Sequence, residues 1–221
     1  MVWWRVPDGK KMIQLIIFDF FGTLAYYDPA RTAAVIAKLK EFNLPVDDQK
    51  ANQRLAEILP EYFSKAKSWE QMADKITQKL GIVLEADRRE SLAAFAAKNL
   101  PCRLFGDVSD ILDLPPKKAI LTLCEDFAVQ SVPELRNFEI FSPREYGAAK
   151  PDPKAFLAVL KKMKAEPRET AMVGDNLEND ILPALALGMK AILLDRAGKY
   201  EKLNKPAIIK ISTLKELKNY L

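Results

Sequence analysis

The stretch IIFDFFGTLAYYD, Ile16 to Asp28, decides how the rest of the chain is read. An apolar run, Leu15 to Phe18, stops at one carboxylate, Asp19, and is followed by Phe20, Phe21 and Gly22-Thr23. A short run that is apolar on both faces has the pattern of a buried parallel strand. Comparable runs recur at Ala119–Leu123, Ala171–Gly174, Ala191–Leu194 and Ala207–Ile211. Helical patterns follow several of them, near Val129–Leu135, Ala155–Met163, Ile181–Leu187 and Leu214–Leu217. Strand–helix alternation predicts an α/β fold with a doubly wound, mostly parallel sheet.

Residues Ala30 to Asn99 have a different texture, helix after helix with no strand signal. Val35, Ile36, Leu39 and Phe42 recur at helical spacing, as do Leu55, Ile58, Leu59 and Phe63. Asn43-Leu44-Pro45 and Gly81 break the series, and Ser68 with Gln71 three residues on reads as a helix start. A last helix is expected from Asp87 to Ala97. This block follows the first strand directly, so it reads as a cap inserted into the core. The expected division is core at 1–24 and 101–221, with a helical cap at 25–100. Residues 1–11, with Trp3 and Trp4, carry no motif.

Composition narrows the chemistry. Apolar residues make up 49% of the 221, enough for a large core. The net charge is only +4, from 34 basic and 30 acidic residues, and no basic run is long or interleaved with aromatics, which argues against a nucleic-acid partner. Lys161, Lys162 and Lys164 read as a solvated helix face. No apolar run reaches bilayer length and no signal peptide is visible, so no membrane partner is expected. Cys102 and Cys124 lack paired spacing and read as buried thiols in a cytoplasmic protein. The chain has no histidine. Histidine-based triads and histidine-ligated zinc are thereby excluded, leaving carboxylates, lysine, hydroxyls, backbone amides or a hard cation.

In open parallel sheets ligands bind beyond the carboxyl ends of the strands. The predicted strands deliver Asp19, Thr122 and Asp175 to that edge, and the turn after the last delivers Asp180. Ala149-Lys150-Pro151-Asp152-Pro153 places Lys150 just before a helix. Singly, each has an ordinary reading: a strand-end Asp caps a turn, Thr122 is a β-former, Lys150 is a surface lysine, and Asp180 offsets a helix dipole. Three carboxylates, a lysine and a hydroxyl at one sheet edge favour a functional site.

Four segments carry a family resemblance: FDFFGTL (Phe18–Leu24), AILTL (Ala119–Leu123), KPDPKAF (Lys150–Phe156) and VGDNLENDI (Val173–Ile181). Together, in this order, they resemble the haloacid dehalogenase superfamily of hydrolases, and the inserted helices resemble its small cap of the first type. The resemblance implies catalytic residues at Asp19, the nucleophile, with Thr122 and Lys150 around the anionic substrate. It implies substrate contacts near Gly22, Thr23 and Leu123. It also implies Mg²⁺ held by Asp19, the Phe21 carbonyl, Asp175 and Asp180. Three carboxylates against one lysine leave the bare site with two negative charges, which a divalent cation would cancel; mutual repulsion would otherwise raise the carboxylate pKa values. Gly22 permits a tight turn, and Thr23 is expected to lock it with a hydroxyl bond.

Phe21 is the departure. In phosphatases resembling this chain the position carries an Asp that protonates the leaving group. Glu125 or Asp126, just past Thr122, could substitute, and so equally could a bound water. Haloacid dehalogenases of the family have an aromatic residue there, work without metal and hold the substrate carboxylate with an arginine early in the cap; Arg31 is available for that role but reads first as a solvated arginine at a helix start. The retained acids of GDNLEND weigh the other way. The expected function is a Mg²⁺-dependent phosphatase on a small phosphorylated molecule. The alternatives are a 2-haloacid dehalogenase with a halogenated substrate, or a phosphate- or metal-binding regulatory protein. Tyr26 and Tyr27, at the expected core–cap junction, read as packing residues.

Overall fold

The computed structural model describes residues 12–26, 30–44, 46–63, 66–99, 102–124, 126–143 and 147–221. Six strands form one parallel sheet: β1 (Leu15–Phe18), β4 (Lys117–Leu121), β5 (Glu139–Phe141), β6 (Thr170–Gly174), β7 (Lys190–Leu194) and β8 (Ile208–Ile211). Their order is β5-β4-β1-β6-β7-β8. The chain thus builds outward from β1 to β5, then returns to the other side of β1 and builds outward again. The reversal falls between β1 and β6, which pair in parallel from Leu15↔Thr170 to Phe18↔Val173. That is the topological switch point, where doubly wound folds bind ligands.

β1 is buried on both faces. Leu15 and Ile17 pack with Phe156, Val159 and Leu160 of a helix at Pro153–Met163, while Ile16 and Phe18 face the larger cluster on the other side. Strict alternation between two covered faces explains why the run has no polar residue.

Between β1 and β4 the chain leaves the sheet through β2 (Ala25–Tyr26), makes four helices among the described residues and returns through β3 (Arg103–Leu104), antiparallel to β2. The helices are α1 (Ala30–Glu41), α2 (Asp48–Phe63), α3 (Trp69–Leu80) and α4 (Ala86–Asn99). Val35, Leu39, Leu55, Met72, Ile76 and Leu92 are buried in a cluster continuous with the sheet face. Ser68 caps α3, its hydroxyl accepting from Gln71 N at 3.3 Å, and Gly81 ends it in a left-handed conformation (φ +71°). The reciprocal Gln71 bond goes to Lys67 N rather than to Ser68. The edge of Trp69 meets Phe127 of the core at 5.0 Å between ring centres.

Several sequence expectations need correction. The ribbon β2–β3 and the edge strand β5 were not anticipated; each is too short for a periodic signal. The helix expected over Val129–Leu135 is instead α6 (Asp126–Gln130) and a separate 3₁₀ turn at Pro133–Leu135, since Pro133 cannot donate to continue the helix. The strand expected at Ala119–Leu123 ends at Leu121, leaving Thr122 in the loop beyond it. A short helix, α5 (Ser109–Leu112), precedes β4; α7 is Pro153–Met163 and α8 is Leu182–Ala186. The C-terminal turn at Leu214–Asn219 is 3₁₀ rather than α. Trp3, Trp4, Tyr27 and Glu125 lie outside the described residues, as do the side chains of Arg31, Ile58, Leu59 and Phe63. Tyr26 packs on Phe105 (5.0 Å), Lys161, Lys162 and Lys164 are exposed, and both cysteines are buried with no disulfide between them. No helix among the described residues is long and apolar enough to cross a membrane.

One polar junction ties the insertion's exit to the sheet. Asp107 accepts from Arg196 Nη1 and Nη2 (2.8 and 2.9 Å), from Thr213 Oγ1 (2.7 Å) and from Leu214 N (2.9 Å). Burial pulls the Asp107 carboxyl upward, but the bonds from Arg196, Thr213 and Leu214 outweigh it and leave the group below the usual carboxylate range. A depressed folded-state pKa adds stability above the unfolded-state value, and that stability is lost as pH falls through the folded-state value. Asp107→Asn should therefore lower the melting temperature at neutral pH and flatten the loss of stability below about pH 4. Thermal denaturation of both proteins as a function of pH checks this; parallel profiles would refute it.

Candidate active site

The site begins with the backbone at the end of β1. Asp19 N donates to Val173 O of β6 at 2.9 Å, so Asp19 remains pinned to the sheet at the switch point. The chain then folds back in a turn whose bonds are internal. Phe20 O accepts from Thr23 N, Leu24 N and Ala25 N (3.3, 2.8 and 2.9 Å), and Gly22 N donates to Ala25 O at 2.8 Å. Gly22 is left-handed (φ +89°), and a Cβ placed there would lie 2.3 Å from Asp175 Oδ2. Both backbone angle and clearance demand glycine.

Asp175 follows β6 directly. Asn176 then caps a π-helical turn at Leu177–Ile181, its side chain accepting from Glu178 N and Asn179 N (3.0 and 2.9 Å). This turn sends Asp180 back over its own start, where Asp180 Oδ2 accepts from Asn176 N at 3.1 Å. A Cβ at Gly174 would lie 2.4 Å from the same oxygen, so the second glycine makes room for the second acid. Single π turns are frequent at functional sites.

Lys150 joins the two acidic arms. Its ammonium is buried and donates to Asp19 Oδ1 at 2.5 Å and Asp180 Oδ1 at 2.7 Å. Burial alone would depress its pKa, but the charges of Asp19 and Asp180 reverse this and hold Lys150 firmly cationic. One lysine does not offset three acids. Asp175 is pushed up to about 6, first by burial and then by Asp19, and Asp180 is raised for the same two reasons against the pull of Lys150. One carboxylate oxygen from each of Asp19, Asp175 and Asp180 lies within 4.8 Å of the other two. A compact, all-oxygen, anionic donor set of this kind suits a hard cation such as Mg²⁺.

Asp19, Phe21, Thr122, Leu123, Cys124, Lys150, Asp175, Asn176, Asn179 and Asp180 line one cavity of about 390 Å³. Every residue expected in the catalytic and metal sets is there, and so is Leu123. Gly22 and Thr23, expected as substrate contacts, are not among the residues lining it. Their N–H groups are engaged inside the turn, and Thr23 is fully buried with its hydroxyl unbonded among the described residues. The expected hydroxyl lock is thus absent, because backbone bonds already close the turn. Asp126 bonds Gln130 at 3.1 Å and does not reach the cavity wall.

Cys124, Asn176 and Asn179 were not anticipated. An Asn just before a helical run is a readable cap signal, but nothing in the sequence marked Cys124 as a wall residue. Thr122 Oγ1 accepts from Cys124 N (3.0 Å) and lies 2.8 Å from Cys124 Sγ. Burial pushes the Cys124 thiol up to about 12, so it stays protonated at neutral pH.

The family model for haloacid dehalogenase-like hydrolases matches residues 13–188. The chain belongs to this family. Phosphoglycolate phosphatase of Haemophilus influenzae is 28% identical over 204 residues, 86% of this chain and 89% of its own length. The chain spans less than a third of the first curated relatives it matches, 18% to 29% of their lengths at 34% to 45% identity. Among solved structures, a phosphatase from Thermococcus onnurineus aligns with TM-score 0.62 at 23% identity, and a 2-haloacid dehalogenase from Pseudomonas syringae with 0.65 at 22%. Each alignment covers 94% of this chain and 97% of the other. These likenesses establish the fold of this haloacid dehalogenase-like hydrolase and stand on both sides of the choice between C–halogen and phosphoester chemistry.

The clearance at Gly22 is directly testable in this hydrolase. Gly22→Ala forces a methyl into the Asp175 carboxylate and a left-handed angle on a non-glycine residue. It should destabilise the fold by about 1–3 kcal/mol and reduce hydrolysis at least tenfold. Wild-type turnover in a folded Gly22→Ala variant would contradict the close approach.

Proposed function

We propose that this hydrolase is a divalent-metal-dependent phosphatase acting on a small phosphorylated molecule, with Asp19 as nucleophile. The observation that carries the reading is the charge imbalance: three converging carboxylates face one buried ammonium. A metal-free dehalogenase would have no use for Asp175 beside Asp19, where like charges oppose each other. Asp19, Asp175 and the Phe21 carbonyl are the proposed Mg²⁺ ligands, with Asp180 binding directly or through water. When bound, Mg²⁺ would supply neutralisation of charge on the transferring phosphoryl group.

Asp19 attacks phosphorus, the bond to the leaving oxygen breaks, and water then hydrolyses the aspartyl phosphate. Lys150, already fixed between Asp19 and Asp180, orients the nucleophile and faces the phosphoryl oxygens. Thr122 and the backbone at Leu123 complete the contacts on the opposite wall. Residues 25–100 act as the cap over a core of 1–24 and 101–221, and cap closure would exclude water from the aspartyl intermediate until the leaving group departs.

Phe21 puts an aromatic ring where a proton donor would serve, so the reading favours substrates whose leaving groups depart as stable anions, such as aryl and acyl phosphates. p-Nitrophenyl phosphate should be hydrolysed with Mg²⁺ and lose that hydrolysis in excess chelator; full retention would remove the metal from the mechanism. Phe21→Asp should raise turnover on alkyl phosphates by about tenfold or more, within the usual range of general acid catalysis. No gain would mean that another group donates the proton.

Phe21 also favours a second reading, a 2-haloacid dehalogenase, because halide leaves without a proton. Chloride release from 2-chloropropionate in chelator, with no phosphatase activity, would establish it in place of the first.

A further inference from the structure

The turn Phe20–Ala25 decides how closely Asp19 and Phe21 approach Asp175, since Gly22 lies against the Asp175 carboxylate. The bonds within the turn fix its shape but not its position. Among the described residues, two of the bonds that hold it in place come from the segments after the helical insertion and after β7. Phe105 N donates to Leu24 O at 3.0 Å, and Arg196 Nη2 donates to Thr23 O at 3.0 Å. The Thr23 hydroxyl adds nothing, being unbonded among the described residues. Arg196 is itself immobilised: two bonds run to Asp107, and its guanidinium lies 4.0 Å from the Phe105 ring centre. Asp107 is fixed in turn by Thr213 and Leu214. A planar fork is well suited to holding a carboxylate with one edge while reaching a carbonyl beside it.

We propose that Arg196, anchored by Asp107, is a positioning residue that sets the turn Phe20–Ala25 against Asp175 and thereby sets the affinity of the acidic cluster for Mg²⁺. The assignment rests on the metal-dependent reading above. Arg196 and Asp107 are not among the residues that line the cavity, so the role assigned to them is one of positioning. Nor does Arg196 act through its field: its charge is matched by Asp107, and the cations that act on Asp175 are Lys150 and Lys199. Its influence runs through the Thr23 carbonyl. Asp107 stands just beyond β3, so the same contact ties the turn to the place where the helical insertion rejoins the sheet.

The test is calorimetric titration of Mg²⁺ into the full chain without substrate, beside thermal denaturation. The proteins are wild type, Arg196→Gln, Arg196→Lys, Asp107→Asn and the buried-core control Leu160→Ala. Arg196→Gln and Asp107→Asn should weaken Mg²⁺ binding by about tenfold or more, the usual cost of losing a group that orients ligands. Arg196→Lys should recover part of the loss, and Leu160→Ala should lower the melting temperature while leaving the affinity at its wild-type value. If Arg196→Gln does not fold, Asp107→Asn carries the same comparison. Wild-type affinity in the Arg196 and Asp107 variants, or an equal loss in Leu160→Ala, overturns the assignment while sparing the metal-dependent reading. A wild-type protein that binds no Mg²⁺ overturns both.

Discussion

A single buried ammonium holds the centre of this molecule together. Lys150 comes from the loop before α7, Asp19 from the end of β1 and Asp180 from the π turn after β6, and they meet in two hydrogen bonds with almost no exposure to water. Each charge so buried forfeits several kcal/mol of hydration, regained only when partners are close and well directed. The three segments are therefore not independent. Any displacement of one leaves a buried charge uncovered on another, so the three segments constrain one another at the switch point. Asp175 is the member that Lys150 does not bridge, and its raised pKa marks the place where compensation runs short.

Crowding enforces that arrangement as strongly as attraction does. Gly22 and Gly174 each lie where a methyl group would overlap a carboxylate. Acids from different strands can approach one another only because the chain has removed side chains at these two points. The π turn does the complementary job. By widening one helical turn it brings Asp180 back to within 3.1 Å of Asn176 N instead of carrying it away along α8. Small residues, a widened turn and one lysine together convert three separate carboxylates into a cluster.

Much of this was legible in the sequence, and the exceptions have physical causes. β1, β6 and β7 announce themselves because strands covered on both faces need apolar runs, and β8 at the sheet edge is still legible from its isoleucines despite exposed Lys210. β5 and the β2–β3 ribbon escape because two or three residues cannot show a period. The helix expected through Leu135 stops early because Pro133 has no N–H, a local rule that outranks the apolar spacing around it. At the site, Asp19, Thr122, Lys150, Asp175 and Asp180 could be named from strand ends and the order of motifs. Thr23 was misread for a general reason: a threonine beside a turn suggests a hydroxyl lock, but the sequence does not reveal that backbone bonds have already closed the turn. The contact between Arg196 and Thr23 spans 173 positions, and no local pattern could have paired them.

Phe21 separates two properties that one residue often combines. A backbone carbonyl is unaffected by the side chain attached to it, so replacing an acid with phenylalanine removes a proton donor and leaves a potential oxygen ligand untouched. The cluster of Asp19, Asp175 and Asp180 can thus stay intact while the demands on the substrate change. On the phosphatase reading proposed above, a site with no acid at position 21 would leave the barrier dependent on how well the leaving oxygen bears negative charge. Phe21, Leu123 and the protonated Cys124 offer an apolar surface on the cavity wall beside the acidic floor. An aryl or acyl leaving group would meet a surface of its own polarity there, whereas a leaving group in need of a proton would find no carboxylic acid at position 21.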